Sequence, residues 1–76
     1  MKVGDIIINP YVREKMNNGR PNPLYKTMVI HIGTEYTRAL RYDGEIAEWY
    51  TKSVKNWEIS HHVNLEKFME VEERKR

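Results

Sequence analysis

The chain has 76 residues, no cysteine, and 13 basic against 11 acidic side chains, for a formal net charge of +2. A length like this holds one domain that buries roughly 60% of its unfolded surface, so a ligand site is expected as a surface patch rather than a deep pocket; without cysteine there are no disulfides or thiolate metal sites, which suits a reducing compartment. No apolar run approaches the ~20 residues that cross a bilayer and Met1-Lys2 leads straight into a strand, so the reading is a soluble, cytoplasmic chain with no membrane partner and no signal peptide.

Lys2 to Ile8, KVGDIII, has three consecutive β-branched residues and predicts a first strand. Asn9-Pro10 ends it, because proline cannot donate to a ladder and disfavours helix in the residue before it. Tyr11 to Pro23, YVREKMNNGRPNP, then reads as a long loop: VREKM can make a helical turn, but Asn17-Asn18-Gly19 and Pro21-Asn22-Pro23 stop anything regular. Long loops in small domains are often functional, and this one is also the basic one. Between Asn9 and Lys26 the bases Arg13, Lys15, Arg20 and Lys26 stand against Glu14 alone, a local net charge of +3.

Leu24 to Tyr50 is the most strand-prone stretch and contains two turns. In Leu24 to Ile32 the period of two puts Met28, Ile30 and Ile32 on one face, expected to be core, and Tyr25, Thr27, Val29 and His31 on the other. Gly33-Thr34-Glu35 joins this strand to EYTRALRY, where Tyr36, Arg38, Leu40 and Tyr42 alternate with Thr37, Ala39 and Arg41 and neither face is cleanly apolar. Asp43-Gly44 predicts a tight type I′ turn. Glu45 to Tyr50 follows, with Ile46 and Tyr50 on one face and Ala47 and Trp49 on the other, a conflict that a bulge would reconcile.

Thr51 to Asn56 reads as a turn or a single 3₁₀ turn, Trp57 to Ile59 as a brief last strand, and Ser60-His61-His62 as a polar break. Val63 to Met69 carries a helix start, with Asn64 as N-cap, Glu66 in the first turn, Val63 placed against Phe68, and Leu65, Phe68 and Met69 on one face. The basic Arg74, Lys75 and Arg76 suit the C-terminal end of a helix dipole. This helix is expected to cap the rest of the domain or to dock on another chain.

Strand, long loop, three-strand meander, short turn and final strand is the layout of an SH3-like barrel. Lys2-Val3-Gly4-Asp5, the strand and turn from Met28 to Gly33, and Arg38 to Gly44 followed by Ile46 and Trp49 resemble the small KOW-type and other short SH3-like barrels that occur as stand-alone phage and prophage proteins. The resemblance covers about Lys2 to Ile59. It implies a mainly β fold, a small five-stranded SH3-like barrel over residues 1–60 with a long first loop, followed by a short C-terminal helix and charged tail over 61–76. It carries fold and not activity. The long loop and the segment after Ser60 depart from the minimal pattern, and a function private to this chain is expected there.

His31, His61 and His62 lack the cysteine or close acid spacing of a designed metal site and read as loop or surface residues. Glu45 and Glu48 fall on opposite strand faces, and no phosphate-cradling loop or nucleophile motif appears, so neither an enzyme nor a cofactor is expected. The aromatics Tyr11, Tyr36, Tyr42, Trp49, Tyr50 and Trp57 are too many for so small a core, which favours a groove beside the first loop for a protein partner. A competing reading is a nucleic-acid clamp, with Arg13, Lys15, Arg20, Lys26, Arg38 and Arg41 on phosphates and Tyr11 or Tyr25 stacking on a base. A structural accessory role in a phage particle stands third.

Overall fold

The computed structural model describes residues 1–64; the helix and tail expected from Leu65 onward lie outside the described residues. Five antiparallel strands make one sheet: β1 (Asp5–Ile8), β2 (Lys26–Ile32), β3 (Tyr36–Leu40), β4 (Ile46–Tyr50) and β5 (Glu58–His62), with the single-turn helix α1 (Thr51–Val54) between β4 and β5. Their order is β4-β3-β2-β1-β5, so β4 and β5 are the edges and the sheet is not closed. Among the described residues no helix is long and apolar enough to cross a membrane.

The core is small, because few large side chains point inward. Among the described residues Ile7, Val29 and Val54 form its buried cluster, and Met1, Trp49 and Trp57 pack against them. Ala39 pairs with Val29 on one side and with Ala47 on the other, and Thr27 and Thr37 are buried on the same face. The buried threonine at 37 is satisfied by a relay. The Thr51 hydroxyl donates to the Gly33 carbonyl at 2.7 Å, which leaves its oxygen free to accept from Thr37 at 2.8 Å. The start of α1 is thereby tied to the turn between β2 and β3.

Several sequence expectations are corrected by the strand faces. Met28, Ile30 and Ile32 do not form the core face of β2: Thr27 and Val29 are buried, Met28 and Ile30 are half-buried, and Ile32 is exposed. The register shifts between Val29 and His31, leaving Ile30 unpaired and setting Ile32 opposite Thr37. The pairing decides the facing here, since Val29 lies opposite buried Ala39 and Met28 opposite half-buried Leu40. In β3 the inward residues are Thr37 and Ala39. In β4 Ala47 points inward with Trp49, while Ile46 and Tyr50 point outward; the pairing of β3 with β4 is regular and needs no bulge.

The Asp43-Gly44 turn is not type I′, which would need positive φ at both residues, because only Gly44 has it (φ 89°). Gly44 N–H donates to Arg41 O and Arg41 N–H to Glu45 O, a three-residue loop in which Gly44 takes the left-handed position. The Asp43 carboxylate accounts for the difference: it accepts from the Glu45 amide at 3.1 Å and from Arg41 Nε at 3.0 Å, and so favours the wider loop. Ser60-His61-His62 is strand rather than a break, because β1 offers its free side as a pairing partner and the ladder continues through Asp5 and His62. All three histidines therefore lie in strands, His31 in β2 and the other two in β5, and not in loops; each is exposed.

Candidate functional site

Asn9 sets the geometry of the site. It is buried, its N–H donates to Tyr25 O at 2.8 Å, and its side-chain oxygen accepts from the Tyr11 amide at 2.9 Å. This local turn, with Pro10 inside it, fixes where the chain leaves β1 and holds Tyr11 outward. Tyr11 is 82% exposed, yet its ring is not isolated. It meets Trp57 edge-on with centroids 6.4 Å apart, and Trp57 meets Trp49 in the same manner at 5.3 Å.

These three rings line an open, mostly apolar cleft of about 430 Å³ between the first loop, the end of β4 and α1. Val12 and Leu24 supply the loop wall, and Tyr50 and Ser53 the wall from β4 and α1. The Trp49 indole nitrogen is buried with no hydrogen-bond partner among the described residues. Trp49 and Trp57 are also half-buried against the core, so two rings of the cleft are anchored from behind and the third is held by its backbone.

Beside the cleft the first loop folds on itself. Asn22 N–H donates to Glu14 O, Met16 N–H to Arg20 O, and Lys15 bridges Pro21, which turns the segment into a small arm closed by Gly19 with φ 80°. No helical turn forms at Val12 to Met16. The Tyr42 hydroxyl donates to Pro21 O at 2.8 Å and braces the arm against the loop between β3 and β4. Arg13, Lys15 and Arg20 are exposed on it and meet no carboxylate among the described residues.

The residues singled out from the sequence separate into three groups. Tyr11 and Trp49 come together in the cleft. Arg13, Lys15 and Arg20 ride on the arm, with half-buried Tyr25 at its base and exposed Lys26 opening β2. Arg38 and Arg41 belong elsewhere: Arg38 pairs with Glu48 across β3 and β4 at 3.3 Å, and Arg41 pairs with Asp43. Their charges are met by acids of this chain. Tyr36 and Tyr50 stack with centroids 5.1 Å apart on the outer edge, and the Tyr50 hydroxyl bonded to Tyr36 holds that phenol above its ordinary 10.0.

Leu24 and Ser53 were not readable as cleft residues, since Leu24 looks like the start of a strand and Ser53 like part of a turn. The spacing of Trp49 and Trp57 on either side of a short polar segment was the available signal. Compared with known proteins, the chain matches no family model, no curated relative and no solved structure.

Proposed function

We propose that the chain is a non-catalytic interaction module that takes an extended segment of a protein partner into the cleft of Tyr11, Trp49 and Trp57. The observation that carries this reading is the exposed Tyr11 ring, held in position by Asn9 and backed by two tryptophans that are themselves anchored in the core. Rigid aromatics in an open groove suit an apolar, proline-containing strand, because such a segment loses little entropy on docking. The cationic arm beside them favours acidic residues flanking that segment. The SH3-like barrel and the phage or prophage source belong to this reading on the strength of the sequence resemblance, and the cytoplasmic setting on the composition.

Titration of a proline-rich peptide with an acidic flank, followed by tryptophan fluorescence, tests it. Tyr11→Ala is expected to weaken binding by about tenfold or more, as a hot-spot aromatic does. Binding that is unchanged in Tyr11→Ala overturns the assignment of the cleft.

Nucleic-acid binding is the second reading, favoured by the three exposed cations of the arm, which meet no carboxylate among the described residues. Its signature is affinity that falls log-linearly with salt. An aromatic cleft responds far less.

A further inference from the structure

Strand β4 is an edge of the sheet, and the direction of its backbone groups follows from the bonds at its two ends. Arg41 N–H donates to Glu45 O, and Thr51 N–H donates to Glu35 O. Bonded pairs in an antiparallel ladder recur at every second residue, so Ala47 and Trp49 bond to Ala39 and Thr37 of β3. The N–H and C=O groups of Ile46 and Glu48, and the N–H of Tyr50, point away from the sheet. The Tyr50 carbonyl serves α1, whose N-cap it is. No backbone partner among the described residues reaches the outward groups.

The aromatic cleft lies beside this free edge. Glu48, Trp49 and Tyr50 all line it. Successive side chains of a strand point to opposite faces, so a cleft touched by three in a row opens off the edge and not over one face. We propose, on the footing of the cleft reading, that the partner segment docks by adding itself to β4 as a further strand, its apolar side chains against Tyr11, Trp49 and Trp57 and its acidic residues beside the arm. Proline then fits only where the segment's N–H would face away from β4.

The other edge is unsuited to this. The register shift between Ile6 and Ile7 leaves Ser60 without a partner and interrupts β5, and bulges of this kind blunt an edge. Strand β4 is regular and contains neither proline nor lysine, and its one charge, Glu48, is paired with Arg38 at 3.3 Å. The chemistry of the occupant follows from charge. Val12 lines the cleft and Arg13 follows it, and the exposed Arg13, Lys15 and Arg20 meet no carboxylate among the described residues. A second copy of the chain is the poorer occupant, because the antiparallel register that uses all three outward residues sets Glu48 of one copy directly against Glu48 of the other.

The probe is the peptide Asp-Asp-Asp-Val-Pro-Val-Pro-Val, in which only the valines can donate to β4. Amide hydrogen exchange is followed on the ¹⁵N-labelled full chain. Without peptide, Ala47 and Trp49 should exchange slowly and Ile46, Glu48 and Tyr50 fast; with about nine-tenths of the chain occupied, the last three should slow about tenfold. Replacing one valine amide of the peptide by an ester removes a donor and should weaken binding about fivefold. Tryptophan fluorescence that reports binding while the three amides keep their free rates overturns the added strand and leaves the cleft reading standing. A peptide that moves neither signal overturns both. Slow exchange of the three amides in the free chain shows the edge already covered and overturns the proposal as well.

Discussion

Asp5 and His62 meet at 2.8 Å between Oδ1 and Nδ1 although 57 residues separate them in sequence. A carboxylate only accepts, so His62 donates, and the other oxygen of Asp5 accepts from the Lys2 amide at 2.8 Å. Asp5 is 3% exposed, which makes this pair the polar clasp between the first and last strands.

Burial pushes the Asp5 carboxyl upward, but the Lys2 amide and His62 outweigh it and hold the group below its ordinary 3.8. A lowered folded value means that the stabilisation is present above pH 3.8 and is lost as the pH falls through the folded value. Asp5→Asn should cost about 1–3 kcal/mol at neutral pH. Urea unfolding from neutral to acid pH should show the wild type losing stability in the acid range and the variant losing less; parallel curves would contradict the role given to Asp5.

Gly4 and Gly44 both have a positive φ and differ in their surroundings. A Cβ at Gly4 would collide with the Val63 carbonyl oxygen, whereas one at Gly44 meets open space. Gly44→Ala should therefore cost about 1–2 kcal/mol for the left-handed conformation alone. Gly4→Ala should cost more and should loosen the end of β5, seen as faster amide exchange at Val63. Equal costs would sink the argument.

Val54 is the one fully buried residue of α1 and touches the small core directly. Val54→Ala removes the equivalent of two methylenes and should cost about 2 kcal/mol. Thermal or urea unfolding measures it. A change near zero would mean that α1 is not part of the cooperative unit.

Tyr36 gives a prediction at the alkaline end. Its hydrogen bond with Tyr50 raises its value above 10.0, so that contribution is intact below pH 10.0 and is lost as the pH rises through the folded value. Tyr50→Phe should bring the last-titrating phenol in an absorbance titration back towards the ordinary range. No movement of that step would show the two phenols to be independent.

The order of elements was legible in the sequence, because turn residues and β-branched runs are local signals. The facing of the strands was not. Met28 and Ile32 are more apolar than Thr27 and Val29, and a rule that buries the more apolar set chooses wrongly when the outer side of the sheet is apolar too. The shift between Val29 and His31 compounds the error, since one unpaired residue inverts the alternation beyond it. Ser60-His61-His62 misleads for a different reason: its strand exists through pairing with β1, and nothing in its own composition favours one. In the cleft, Tyr11 and Trp49 were visible as surplus aromatics. Arg38 and Arg41 looked equally available until Glu48 and Asp43 were placed beside them.

The neighbours in the sheet arise at very different times. Strands β2, β3 and β4 follow one another through short turns and can associate soon after they are made, while β1 must wait for Glu58–His62 before its second side is filled. Contacts between distant segments form slowly, and synthesis proceeds from the N-terminus. During translation, then, β1 presents one unfilled backbone side to its surroundings until β5 has been made, and β5 is the piece that ends this exposure.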